Sequence, residues 1–399
     1  MKRIALIAAI ALLVLAGCSK KSNIKPPHEL VEFTPTATVT ELWDSQVGGG
    51  ALDTGVRLRP TYSNGAIYAA SPDGTVQAFD AKTGDTLWMH HSSTHGWFGW
   101  GDDDRKDAFY AGGPAVADGL FVIGTLDGHV YGLDAKTGEK RWKATVSAGV
   151  ITSPAVVGTR VVVRTNDGKI YCLNTDDGSQ EWVYDQSIVP LLSLRGNGPP
   201  LVAKGVVFFT SDDGHLVALR LDNGEKLWGI PLSTGEGRTD IERLDDADGT
   251  VLLQGNTLYA AAYHGRIMAI NGPTARPVWK QKFSTYVSMA VNDNTLVAVD
   301  DASNVWAFDT ASGSDRWEQK KLEWRWLSGP GIVGNYVVVG DLEGYLHWMQ
   351  IGDGKFAART EFSGDAIRAQ PLVVGDTVYV EDVAGNIGAY RIQASASQE

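Results

Sequence analysis

A chain of 399 residues with a formal charge of −12 and no basic stripe lacks the phosphate-neutralising footprint of a nucleic-acid-binding protein. Its two cysteines, Cys18 and Cys172, are separately accounted for below and leave no disulfide, so stability must come from packing. Helical periodicity is hard to find after the first twenty residues, which points to an all-β fold.

Residues 1–17 read as an export signal and stand outside the fold. Lys2 and Arg3 form the charged start, and residues 4–15 an apolar run too short to cross a bilayer as a helix. The run ends in Leu15-Ala16-Gly17-Cys18, which resembles the bacterial lipobox, and so predicts cleavage before Cys18 and lipid attachment to it. Ser19 stands where an Asp would signal inner-membrane retention, so the expected address is the outer membrane, facing the periplasm. Residues 18–34 hold Pro26-Pro27 and no strand pattern, and are expected to form a lipidated flexible tether.

Residues 36–47, TATVTELWDSQV, read as a strand that carries Trp43 without the three strands that should precede it. The pattern it belongs to is clearest in residues 118–142, DGLFVIGTLDGHVYGLDAKTGEKRW. There an Asp127-Gly128 turn and an Asp134-to-Gly138 turn separate three short alternating runs, the strongest short-range hairpin signal. The unit recurs with tryptophans at Trp88, Trp142, Trp182, Trp228, Trp279 and Trp317. Four residues before each come Gly84, Gly138, Gly178, Gly224, Ala275 and Gly313. Ten before come Ala78, Gly132, Cys172, Ala218, Ala269 and Ala307, all small, as though each made room for an indole on the next strand. Cys172 is therefore expected to be a buried small residue, not a nucleophile or ligand. In residues 334–358 the partners are exchanged, with Trp348 in the small slot and Ala358 in the large one.

A final copy runs out after its third strand, near residue 392, and residues 394–399 read as a disordered tail. Lending it the strand of Trp43 gives eight four-stranded units, the pattern of an eight-bladed β-propeller over residues 35–393, closed by its N-terminal strand. Closure removes the sheet edges that invite aggregation.

The unequal tryptophan spacing marks insertions near 90–111, 186–199 and 233–250, between the outer strand of one blade and the inner strand of the next. Such connections share one face with the Asp-Gly turns, and loops on a rigid scaffold are where recognition usually lives. The first insertion holds His90, His91, His95 and residues 102–104, all Asp, but their spacing fits no zinc or calcium template, so no metal is expected. Its Trp97, Phe98 and Trp100 either fold back on the blades or offer a partner an apolar anchor. In the second, Leu192 and Leu194 alternate beside Arg195; the third carries Asp245, Asp246 and Asp248. These residues form either inner-strand core and a solvated loop, or a protein-binding patch of apolar anchors, a planar cation and carboxylates.

Taken together, the signal, the lipobox, the tryptophan-bearing blades and the segments SLRG (193–196), TDIERL (239–244) and GDLEGYLHW (340–348) resemble the BamB family of outer-membrane assembly lipoproteins over essentially the whole chain. That resemblance implies a non-enzymatic accessory subunit of the β-barrel assembly machinery, without cofactor, that binds the POTRA domains of BamA. It implies BamA contacts at Leu192, Leu194, Arg195, Asp246 and Asp248, and a role in delivering unfolded barrel clients, which could pair with a blade edge by strand addition. The blade motif is also similar to that of quinone-dependent dehydrogenases. Fold does not decide between them. The chain has no Cys-Cys pair and short loops that leave little room for a cofactor chamber, which weighs against the enzyme and leaves a periplasmic ligand-binding propeller as a third reading.

Overall fold

The computed structural model describes residues 25–51, 54–92, 108–185, 198–233 and 250–395. Within them lie eight four-stranded antiparallel sheets. In the first blade β2 (Thr61–Ser63), β3 (Ala66–Ala70), β4 (Thr75–Asp80) and β5 (Thr86–His91) follow one another as a meander. Six further blades span 110–145, 155–184, 201–231, 252–282, 290–319 and 331–361. The eighth is composite: β30 (Leu372–Val374), β31 (Thr377–Glu381) and β32 (Asn386–Ala394) are completed by β1 (Ala37–Gln46). Trp43 on β1 faces Ala389 on β32, so the expected closure is made, and the fold is the eight-bladed propeller.

Each tryptophan stands directly opposite its small partner across the third and fourth strands: Ala78 and Trp88, Gly132 and Trp142, Cys172 and Trp182, Ala218 and Trp228, Ala269 and Trp279, Ala307 and Trp317. In the seventh blade Trp348 faces Ala358, the expected exchange. A bulge follows each of these pairs and sharpens the local twist.

Burial follows from the ring. The second strand of a blade is covered on both sides, so Ile67 and Ala69 pack toward the eighth blade while Tyr68 and Ala70 pack toward the second. All eight apolar clusters join two neighbouring blades, and none is central. The core is thus eight seams.

The tryptophans latch those seams. Each indole reaches the turn between third and fourth strands of the next blade and donates to a carbonyl there: Trp43 to Ala81 (3.0 Å), Trp88 to Ala135 (2.9 Å), Trp142 to Thr175 (2.7 Å), Trp182 to Leu221 (2.8 Å), Trp279 to Thr310 (2.9 Å) and Trp317 to Ile351 (2.7 Å). The turn glycine lies flat under the ring. A Cβ on Gly178, whose φ is +72°, would sit 2.6 Å from the Trp142 indole, so both backbone and neighbour demand glycine. Trp228 meets Ala275 in place of glycine and makes no such bond among the described residues. Trp348, moved to the third strand, leaves its Nε1 buried and unpartnered.

Residues 25–34 depart from the expected tether. His28 donates its N–H to the Glu323 carbonyl (2.9 Å), and Arg359 donates to the carbonyl of Val31 (3.0 Å). Phe33 stacks on Phe356 with ring centres 5.2 Å apart. Residues 25–34 therefore form a docked strap, because Val31 and Phe33 extend the apolar seam between the sixth and seventh blades.

Candidate functional site

The connections between blades emerge beside the Asp-Gly turns, because in most blades the residue after the fourth strand bonds that turn's carbonyl. Ser92 donates to Gly74, Leu232 to Gly214 and Phe362 to Gly344, at 2.8, 2.8 and 2.9 Å. The three insertions thus leave the ring on one face, here called the connection face. Leu192, Leu194, Arg195, Asp246 and Asp248 all lie outside the described residues, as do Cys18, His95, residues 102–104, Trp97, Phe98 and Trp100.

The feet of the second and third insertions are well defined and converge. Arg164, fully buried at the end of β11 (Arg160–Arg164), pairs with Asp212 at 2.5 Å and donates to the carbonyl of Gly198 at 3.3 Å. Gly198 is the first described residue after the second insertion, and Asp212 opens the Asp-Gly turn of the fourth blade. The third insertion leaves from Ser233, just past the bond from Leu232 to Gly214 of that same turn. Arg164 thus ties the foot of the second insertion to the turn beside which the third departs. Sequence reading missed Arg164. The signal was its repeat position, held by Ala70, Gly124, Thr210, Ala261, Val299 and Gly340 in six blades and by Glu381 in the eighth, where a long cation is out of place.

A second buried ionic group holds the strap to the same face. Arg325 pairs with Asp341 (2.7 Å) and Glu343, and donates to the His28 carbonyl (3.0 Å). His347 Nε2 lies 2.8 Å from Asp341. Burial alone would raise the Asp341 carboxyl, but the hydrogen bond and charge of His347, a backbone N–H and Arg325 outweigh it and hold it below the usual range. Burial dominates at His347 and lowers it. Nearby Trp324 and Trp326 take φ of +61° and +51°, a region bulky side chains rarely enter. Lys25 sits 4.1 Å over the Trp324 ring, while Trp326 is 57 % exposed.

His90 is a seam residue: its ring packs on Trp88 at 5.6 Å and its Nε2 meets the Thr137 carbonyl at 2.9 Å. Cys172 is fully buried and free, and burial pushes its thiol up to about 12.

Ring and face together define a class: an eight-bladed propeller whose long insertions all join the ring at its connection face, on a chain that is a match for assembly factors of the outer membrane. A family profile described as "Outer membrane protein assembly factor BamB" matches residues 99–319, and one for the β-propeller domain of glucose, ethanol and alcohol dehydrogenases matches residues 41–140. The assembly factor BamB of Xanthomonas campestris is 43% identical over 98% of both chains, and that of Pseudomonas aeruginosa 37% identical, again over 98% of each. The crystal structure of BamB from Moraxella catarrhalis superposes with a TM-score of 0.79, at 24% identity, over 89% of this chain and 100% of that one. A quinohemoprotein alcohol dehydrogenase from Pseudomonas putida superposes at 0.66 with 16% identity, covering 90% of this chain and 77% of that one, a likeness of fold alone. The chain belongs to the BamB family of outer-membrane protein assembly factors.

Proposed function

We propose that the chain is a lipid-anchored scaffold, attached through Cys18 and facing the periplasm, that binds the POTRA domains of BamA and assists insertion of outer-membrane β-barrel proteins. The reading rests on family membership and on one structural observation, the buried Arg164 that ties the foot of the second insertion to the fourth-blade turn beside which the third departs. Leu192, Leu194 and Arg195 belong to the second insertion and Asp246 and Asp248 to the third, all outside the described residues. Two apolar anchors, a planar cation and nearby carboxylates are the elements of a specific protein contact. Arg164 gives the foot of the second insertion and the adjoining turn a buried anchor. The curated relatives are named as assembly factors, and the dehydrogenase likeness stays at the level of the fold.

The test is capture of purified BamA POTRA domains by the full chain and by Arg195→Glu. The expected result is a loss of capture of about tenfold or more, with an unchanged circular dichroism spectrum. Retained capture by a folded Arg195→Glu variant would remove the interface reading.

A further inference from the structure

The ring encloses an axial channel with a cavity of about 470 Å³, within the range of small-molecule sites. Its wall is built from the short lead-ins to the inner strands, including Pro60, Pro114, Pro154 and Pro200, which hold one repeat register that Pro330 and Pro371 share. Against that register Arg57 in the first blade and Arg368 in the adjoining eighth are equivalent residues, and Arg59 lies two residues deeper. All three line the cavity. In a chain of net charge −12, three guanidiniums converge on this cavity.

Among the described residues no carboxylate pairs with Arg57, Arg59 or Arg368. Arg57 meets only the Tyr286 carbonyl (3.4 Å) and ring (5.8 Å), and Arg59 the Pro371 carbonyl (3.3 Å), with its Nε buried and unpartnered. The acids nearest in the wall do not compensate. Glu381 and Asp382 border a small void beside Arg57 and Arg368. Burial, then the neighbouring Asp382, drives Glu381 well above the usual range and toward its neutral form. Asp382 is occupied by the N–H groups of Ala384 and Asn386. Burial likewise lowers Arg59 to about 10. Arg57 is exposed and Arg59 and Arg368 are partly buried, so an anion in the cavity can reach guanidinium forks that match carboxylate and phosphate edges.

We propose that the axial channel binds a compact polyanion, a small molecule bearing two or more carboxylate or phosphate groups, through Arg57, Arg59 and Arg368. Entry is from the connection face, where Arg57 and Arg368 also border an adjoining cavity of about 480 Å³ rimmed by exposed Trp326. Gln370 in the channel wall donates to the carbonyls of Met289 and Pro330 and holds the neighbouring lead-ins in place.

The test is isothermal titration calorimetry on the full chain with citrate, with pyrophosphate and with acetate as a singly charged control. One-to-one binding of citrate or pyrophosphate is expected, much tighter than acetate, and whichever binds tighter identifies the carboxylate or phosphate class. Arg368→Gln, which breaks no described contact, should weaken binding about tenfold or more, and Arg59→Gln at least as much. Arg220→Gln, at an exposed ion pair with Glu225 on the ring exterior, should leave it unchanged. Absence of binding at millimolar anion, or undiminished affinity in a folded Arg368→Gln variant, would overturn the proposal.

Discussion

Two seams of the ring, made from the same repeat, differ by one methyl group. Between the second and third blades, Trp142 lies over Gly178 and donates to Thr175; between the fourth and fifth, Trp228 meets Ala275 and remains half-buried with no carbonyl bond. Local sequence builds the blades almost identically, and among the described residues the seam whose receiving turn carries a Cβ is the one where a fourth-strand indole donates to no carbonyl. The weaker seam adjoins the third insertion, on the fourth blade's side. A ring is only as cohesive as its seams, since no core lies elsewhere.

The largest test of that contrast is truncation. Trp142→Ala should cost about 3–5 kcal/mol in thermal or urea unfolding, and Trp228→Ala roughly half as much; equal losses would erase the distinction. Removing Asp341, the hub of the ionic strap, with Asp341→Ala should cost a similar 3–5 kcal/mol or so by stranding Arg325 and His347, and should expose the segment before Phe33 to limited proteolysis. Gly178→Val, strained by φ and blocked by the indole, should cost roughly 2–5 kcal/mol.

Glu381 provides a smaller effect with a definite sign. Its carboxyl is raised in the folded state, so its contribution to stability is fully present below the unfolded value near 4.5 and is lost as pH rises toward the folded value. Glu381→Gln should therefore flatten the decline in melting temperature above about pH 4.5. A profile as steep as that of the parent would show that Glu381 does not titrate this way. Smallest of all, Ala275→Gly should stabilise by about 0.5–1 kcal/mol by relieving the left-handed alanine and admitting the Trp228 ring.

The ring was legible in the sequence because its determinants are local and repeated. Turn glycines, small residues ten before each tryptophan and the lone strand of Trp43 fixed blade number and closure together. The exchange of Trp348 and Ala358 could be read as well, but not its cost in an unpartnered indole N–H, which needs the next blade's position. The strap was misread because Pro26-Pro27 and the absence of alternation look like a linker. Its partners, Arg325, Phe356 and Arg359, lie some three hundred residues away. The channel arginines escaped for the same reason. Arg57 and Arg368 sit in connectors at opposite ends of the chain and become neighbours only when the ring shuts.

The early docking of the strap also sets a leash length. Lys25 is already seated over Trp324, on the face that carries the three long loops. Only seven peptide steps separate it from Cys18, a reach of at most about 25 Å even when drawn taut. With an acyl group on Cys18, that side of the disc would be kept turned toward the bilayer, and a partner approaching along the membrane surface would meet the loops first.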